Sequence, residues 1–353
     1  MPSGPVNYSR FAKWAPGRCG TVEHTTGTKG ESMKRFGGRL MLASVVVIAA
    51  GALVAAADPP PPWAFAVNPP GIQPVPDDGI ARHVPNSTTA FTLTQIRDLF
   101  NVPDWHPDHH PAMPQIVAQG RKPDVFACGY CHLPNGLGRP ENSSLAGLPA
   151  EYIVQQVADF RSGVRRSSEP ASLPINFMIA VAKAATEADV RTAAEYFAAL
   201  KRTPWIRVVE TETVPKTRVA GWMLVAADGG GTEAIGQRII EMPEDLERTE
   251  LRDAASGFVA YVPAGSVARG EELISGGGGK TIQCMICHGA DLRGLGPVPG
   301  LAGRSPSYIV RQLYDMKQGA RHGQWAELMK AVVAELSEAD MVAIAAYTAS
   351  RAP

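Results

Sequence analysis

The chain has 353 residues, with 34 lysine and arginine side chains balanced by 34 aspartates and glutamates, so its formal net charge is zero. This length allows about two domains. After residue 57 there remain 27 basic and 32 acidic side chains, a mildly acidic balance that gives no reason to expect nucleic acid as a partner. Four of the five cysteines also follow residue 57.

The N-terminal segment has the pattern of an export signal. Residues 33–39 are basic, and residues 40–57 are apolar, carry no charge and end in three alanines. A basic segment, an apolar core and small residues before a cleavage point are typical of a secretory signal peptide. Residues 1–57 are therefore predicted to be a pre-sequence and signal peptide. An uncleaved membrane anchor at 40–57 is the alternative, because the length permits it.

Residues 58–113 are predicted to form a proline-rich, irregular extension, with one or two helical turns at 94–100. Its last part is a loop that could bind copper or supply an alternative ligand to a cofactor. The residues concerned are His106, His109, His110 and Met113. A solvated loop that packs over the neighbouring unit is the alternative, since Pro107 and Pro111 limit how closely these side chains can converge.

A C-x-x-C-H motif occurs twice, as Cys-Gly-Tyr-Cys-His at 128–132 and as Cys-Met-Ile-Cys-His at 284–288. This spacing lets two thiols add to the vinyl groups of one haem, and the next histidine binds the iron as its proximal ligand. The sequence therefore predicts two covalent haem c groups. The predicted attachment residues are Cys128, Cys131, Cys284 and Cys287, and the predicted proximal ligands are His132 and His288.

Two other uses of these cysteines were considered. A zinc site built from two C-x-x-C pairs usually has them about 15–20 residues apart, whereas Cys131 and Cys284 are separated by 153 positions. A thioredoxin-like motif needs a helix that continues beyond its second cysteine. Here residues 133–140 are rich in proline and glycine, which predicts a loop.

The chain contains an internal repeat. When it is shifted by 156 residues, the two motifs coincide, and Leu-Ala-Gly at 145–147 falls on Leu-Ala-Gly at 301–303. Beyond Arg165 and Arg321 the offset drops to 151, so the first copy carries a five-residue insertion. In each copy, a helix ending at glycine and a later helix with a capping-box start are predicted. A leading helix is predicted at 267–274, and a short one at 114–120.

The repeat also selects the second axial ligands. Three methionines follow the second motif, but only Met329 coincides with another methionine, Met178, in the first copy. Met316 falls on Phe160 and Met341 on Val190, and neither of these residues can bind iron. Methionine at a helix face is more often core filler. Its recurrence at equivalent places predicts that Met178 and Met329 are the distal ligands.

The order C-x-x-C-H, Leu-Ala-Gly, tyrosine, then methionine before a final helix resembles class I cytochromes c, and the tandem arrangement resembles their dihaem members. The resemblance implies a mainly α fold with two cytochrome c domains, at 114–203 and 265–353. The segment 204–264 between them contains short β-branched runs and is predicted to be a β-rich connection with two to four strands. The resemblance also implies that a backbone carbonyl accepts a hydrogen bond from each proximal histidine. Pro299 occupies that place in the second copy, whereas Ser143 stands there in the first.

The resemblance implies periplasmic electron transfer through two His/Met haems, because thioether attachment takes place outside the bacterial cytoplasm. The expected donor is a dehydrogenase or quinol-oxidising complex, and the expected acceptor a terminal oxidase or reductase. A membrane is expected only if the signal remains uncleaved. A dihaem peroxidase, a thiosulfate-oxidising enzyme and a haem subunit of a dehydrogenase are the alternatives. The candidates for contact with haem propionates are Arg139, Arg165, Arg293, Arg321, Tyr152 and Tyr308.

Overall fold

The computed structural model describes residues 59–353, so the predicted signal at 1–57 lies outside the described residues. Within this part of the chain, no helix combines the length and the apolar character that a membrane span requires. The helices are α1 (Leu93–Ile96), α2 (Gln115–Ala118), α3 (Cys128–His132), α4 (Ala150–Ser162), α5 (Leu173–Ala184), α6 (Glu187–Ala199), α7 (Leu246–Glu250), α8 (Ser266–Gly276), α9 (Met285–His288), α10 (Pro306–Lys317), α11 (Gln324–Glu327), α12 (Lys330–Val333) and α13 (Glu338–Ser350). The strands are β1 (Ile206–Thr211), β2 (Thr213–Pro215), β3 (Thr217–Ala220), β4 (Met223–Ala226), β5 (Thr232–Ala234), β6 (Ile240–Pro243), β7 (Phe258–Pro263), β8 (Gly294–Leu295) and β9 (Val298–Pro299).

The extension at 59–113 is mostly irregular, and it contacts both copies of the repeat. At its start, the ring of Phe65 lies 5.6 Å from that of Tyr314 in the second copy. Towards its end, Trp105 is buried with Ile96 and Leu251. The indole Nε1 of Trp105 donates a hydrogen bond to the carbonyl of Leu251 at 2.8 Å. The extension is therefore held at both ends by apolar contacts.

In the first copy, α4 and α6 form where the sequence predicts them. Helix α4 ends at Gly163, which adopts a left-handed conformation with φ of 82°, the usual role of glycine after a helix. Helix α6 begins with a capping box, in which the Thr186 hydroxyl accepts from the Asp189 amide and the Asp189 carboxylate accepts from the Thr186 amide. Its apolar face, including Phe197, is buried in the core of this copy.

The second copy contains the same arrangement with a longer leading helix. The Ser305 hydroxyl caps α10, and Ser337 with Asp340 forms the capping box of α13. Helix α8 crosses α13 so closely that Gly270 has no room for a side chain against Ala343. The apolar faces of α8, α10 and α13 meet in the core of this copy.

Residues 206–263 form more strands than predicted. The central sheet has the order β1-β7-β6, in which β1 and β7 are parallel and β6 and β7 antiparallel. Two further ribbons pair β2 with β5 and β3 with β4. The sequence predicted two to four strands here, whereas seven are present, and helix α7 was not expected; β2, β3 and β5 bring the count above the predicted number. These additional strands have only three or four residues and little apolar alternation, which is why the sequence pattern missed them.

Candidate functional site

The two C-x-x-C-H motifs fold alike, each into a single helical turn that the next residue ends. Leu133 follows the first motif with φ of 62°, and Gly289 follows the second with φ of 84°. Such a conformation is unusual for leucine. Its recurrence at a glycine in the second copy indicates that the turn, rather than the side chain, requires it.

The loops after the motifs also repeat their hydrogen bonds. The amide of Ala146 donates to the carbonyl of Gly136 at 3.0 Å, and the amide of Ala302 donates to the carbonyl of Leu292 at 3.0 Å. Both pairs are related by the 156-residue offset found in the sequence. The internal repeat is therefore also a repeat of backbone geometry.

Each motif histidine is held through one ring nitrogen by a carbonyl eleven residues later. Nδ1 of His132 lies 2.8 Å from the carbonyl of Ser143, and Nδ1 of His288 lies 2.7 Å from that of Pro299. In the first copy the residue at this place is Ser143 rather than a proline. The structure shows that serine serves equally, since only the backbone oxygen is used.

These contacts suit iron ligation. With Nδ1 engaged, Nε2 is the nitrogen available to a metal, and such an outer hydrogen bond fixes the tautomer and orientation of the ring. Burial lowers the pKa of both His132 and His288, which keeps the imidazoles neutral near pH 7. Neutral imidazole is the form that binds metals.

None of the four cysteines in the described part of the chain forms a disulfide, and Cys287 is the most exposed of them. Burial raises the pKa of Cys128 to about 12 and that of Cys284 to about 11. A free thiol at either position would therefore be protonated near pH 7, which disfavours thiolate chemistry. Among the described residues, no group of three or more His, Cys, Asp or Glu side chains is placed to hold a metal ion.

The two predicted methionine ligands lie in different local structures. Met329 stands between α11 and α12, half-buried against the same core cluster as Cys284. Met178 lies within α5 and packs against Phe160 of α4. Another methionine, Met113, packs against the clusters that include Cys128 and Cys131.

A polar network joins the two copies around a reciprocal pair of buried arginines. Arg165 donates from Nη2 to the hydroxyl of Tyr308 at 3.1 Å, and Arg321 donates from Nη2 to the hydroxyl of Tyr152 at 3.0 Å. Both guanidinium groups also donate to the side-chain amide oxygens of Gln156 and Gln312. Burial opposes ionisation of Tyr308, but the two arginines outweigh it and lower its pKa to about 8. Two buried guanidinium groups therefore face two tyrosine hydroxyls across this interface.

The other two arginines expected to contact haem propionates, Arg139 and Arg293, differ in burial. Arg139 forms a buried ion pair with Glu141, and Arg293 is half exposed at the surface. Sequence reasoning missed Arg304, which directly follows the second Leu-Ala-Gly and is only 4% exposed. Its Nη1 donates across the interface to the carbonyl of Ser144 at 2.6 Å, while Nη2 has no hydrogen-bond partner among the described residues.

The buried guanidinium of Arg304 would therefore be stabilised by a negatively charged group beside it. A buried cation is costly unless it is paired, and burial together with the charge of Arg202 lowers the pKa of Arg304 to about 10. The carboxylate side chains of a haem would supply the missing negative charge beside this group. The arginine-rich interface and the two supported imidazoles thus fit the group that the motifs predict.

The histidine loop is tied down by carboxylates. Nε2 of His106 lies 2.8 Å from Asp253, and Nε2 of His110 lies 3.1 Å from Asp104. A hydrogen bond to Asp104 raises the pKa of His110. These contacts agree with the packing role that was the alternative to copper binding.

No protein-family model matches the chain. It is 37% identical over 89 residues to cytochrome c-554(548) of Halomonas halodenitrificans, a match that covers 25% of this chain and 99% of that protein. It is 26% identical over 235 residues to the thiosulfate dehydrogenase electron acceptor of Thiomonas intermedia, covering 65% of this chain and 80% of that protein.

Identity to cytochrome c4 of Azotobacter vinelandii is 24% over 254 residues, covering 67% of this chain and 89% of that protein. The solved structure of reduced cytochrome c4 from Pseudomonas stutzeri matches 64% of this chain and 93% of its own, with 20% identity and a TM-score of 0.41. The chain therefore belongs to the c-type cytochromes, and it is a dihaem member that carries two covalently bound haem c groups and transfers electrons.

Proposed function

We propose that this chain is an exported electron carrier in which each copy of the repeat holds one haem between a histidine and a methionine. The observation that supports it most directly is the matching pair of imidazoles, each held at Nδ1 by a carbonyl eleven residues after it. The haem thioethers would form at Cys128, Cys131, Cys284 and Cys287. The axial ligands would be His132 with Met178, and His288 with Met329.

The residues of the chain would set the conditions for electron exchange. A haem supplies one-electron exchange between ferric and ferrous iron, and a thioether ligand raises its reduction potential relative to a second nitrogen. Ser143 and Pro299 orient the imidazoles, and burial keeps them neutral. A histidine and a methionine on each iron would leave no position for a substrate, which favours a carrier over an enzyme.

We assign the two cytochrome c domains to residues 114–203 and 265–353, with 204–264 as the β-rich connecting segment. This division is supported by the equivalent hydrogen bonds that the two copies make at the 156-residue offset. The 58–113 extension then belongs to neither domain.

The arginines of the interface are proposed to bind haem propionates. Arg165 and Arg321 have only neutral hydrogen-bond partners in the described part of the chain, and Arg304 has an unused nitrogen. Four propionates, two from each haem, would compensate these buried cations. Tyr152 and Tyr308 would add hydroxyl donors at the same place.

The export signal and thioether chemistry place the proposed carrier in the periplasm, with residues 40–57 as a membrane anchor if they are not removed. One relative is described as the electron acceptor of thiosulfate dehydrogenase. By analogy, we propose a dehydrogenase or a quinol-oxidising complex as donor and a terminal oxidase or reductase as acceptor.

The experiment is to measure the mass and visible spectrum of the exported protein. The mass should exceed that of the amino acids by two haems, and Cys128→Ala with Cys131→Ala should remove one of them. A protein with no bound porphyrin would contradict the proposal.

The ligands of the first copy need their own comparison. Met178→Ala should open one iron to carbon monoxide, whereas Met113→Ala should leave the ferrous spectrum unchanged in the presence of that gas. The reverse result would transfer the ligand role to Met113, which packs against the same apolar clusters as Cys128 and Cys131.

A further inference from the structure

We call the side of each copy where the second motif cysteine would attach a haem its attachment edge. The two edges differ in how far their side chains are exposed to solvent. Tyr130 and Ile286 are equivalent residues, each directly before the second cysteine of its motif. Tyr130 is 7% exposed, whereas Ile286 is 62% exposed. The second cysteine follows the same trend, since Cys131 is half-buried and Cys287 exposed. One edge is therefore covered by protein and the other is open.

Arg252, in the turn after α7, is the immediate cover of the first edge. Its guanidinium carbon lies 3.7 Å from the ring centroid of Tyr130, a cation–π contact, and its Nη1 donates to the Tyr130 carbonyl at 2.8 Å. Arg252 has a φ of 59°, a conformation that costs free energy for a long side chain. The surrounding contacts hold it there nonetheless.

The extension adds a second layer over the same edge. Leu99 and Val102 are buried with Tyr130 in one apolar cluster. The amide of Ala127 donates to the carbonyl of Leu99 at 2.9 Å. A Cβ built on Gly129 would lie 3.3 Å from the Val102 side chain, so the cover is closely packed.

The second edge is bordered by apolar side chains that face solvent. Ile282 is 48% exposed, and Leu295 on β8 is 60% exposed. Apolar side chains around an attachment edge leave a short path between the haem and an outside partner.

We propose that the extension and Arg252 close the first haem edge to redox partners, so that the chain exchanges electrons with them at the second edge. This inference rests on the proposed function, because it needs a haem at each motif. Each exchange moves one electron between the partner and the chain and transfers no proton or atom. The first copy then communicates with the second across the interface of Arg165 and Arg321.

The first test measures accessibility in the haem-loaded protein. A soluble gadolinium chelate should broaden the haem methyl NMR signals of the second copy several-fold more than those of the first. Arg252→Ala should increase the broadening of the first copy and leave the second unchanged. Equal broadening of both sets in the unaltered protein would overturn the inference, and it would do so whether or not the Arg252 variant folds.

The second test uses charge at the open edge. Ile286→Glu should slow electron exchange with an anionic metal complex several-fold and accelerate exchange with a cationic one, and the effect should fade at about 0.5 M salt. Val75→Glu is the control, since Val75 is 68% exposed on the extension. Equal responses of the two variants would contradict the inference.

The difference between the two edges and the proposed carrier function would be contradicted by different results. If both haems are attached but both edges are equally accessible, the asymmetry is wrong and the carrier function stands. If a haem is missing from either motif, the proposed function itself fails.

Discussion

The crossing of α8 and α13 depends on Gly270, and replacing this residue tests the packing of the second copy. A Cβ at Gly270 would lie 2.7 Å from the carbonyl carbon of Ala343 and 2.7 Å from Cβ of Tyr347, and closer still to the Ala343 oxygen. Carbon atoms normally approach to about 3.5–4.0 Å. The helices would therefore have to separate by roughly 1 Å.

The size of the effect follows from what obstructs the new methyl group. Overpacking a core costs about 1–3 kcal/mol, and the upper end applies because the atoms in the way belong to a helix backbone and to a Cβ. Alanine regains about 1 kcal/mol of helix propensity. Gly270→Ala should thus lower the free energy of unfolding by about 2 kcal/mol.

Denaturant unfolding followed by far-ultraviolet circular dichroism would measure this loss. Gly276→Ala is the matched control, because it lies at the end of the same helix with no atom within 4 Å of the added Cβ. It should be neutral or slightly stabilising. If Gly270→Ala unfolds at the same denaturant concentration as the unaltered protein, the close crossing is refuted.

Three further predictions concern the haem ligands, the interface and the extension. Met329→Ala should let carbon monoxide bind one ferrous iron, and an unchanged spectrum would remove this residue from the ligand set. Arg304→Gln should lower a haem reduction potential by tens of millivolts, since about 1 kcal/mol of lost charge interaction is roughly 43 mV. Arg293→Gln, at the exposed surface, should change the potential much less. The raised pKa of His110, which comes from its hydrogen bond to Asp104, stabilises the fold fully below about pH 6.5 and loses this effect as pH rises through the folded value. His110→Asn should therefore be less stable than the unaltered protein at about pH 5.5 and equally stable at about pH 8.5, as denaturant titrations at the two pH values would show.

The helices of the repeat could be predicted because their signals are local. Capping boxes and a terminal glycine lie within a few residues of the helix ends that they define, and α4, α6, α10 and α13 formed at the expected places. The attachment motifs are equally local. Because these signals are local, they recur in both copies and the two copies can be aligned from the sequence.

What the sequence could not provide depends on residues far apart in the chain. The parallel pairing of β1 with β7 joins Ile206 to Phe258, and no periodicity within either strand indicates it. The contact between His106 and Asp253 spans 147 positions, so the sequence left the loop open to a metal role. The support of His132 comes from the backbone carbonyl of Ser143, and the residue type at that place does not indicate it, because every residue carries such a carbonyl.

The hydrogen bonds of Arg165 and Arg321 make substitutions in the two halves of the chain depend on each other. Each half of the duplicated chain completes its hydrogen bonds on the other, with Arg165 reaching Tyr308 and Arg321 reaching Tyr152. A fragment carrying one half alone would present an unmatched polar face to water. A substitution at one of these four residues would leave a residue of the other half without its hydrogen bond. Such a substitution is therefore tolerated best when the residue across the interface changes with it.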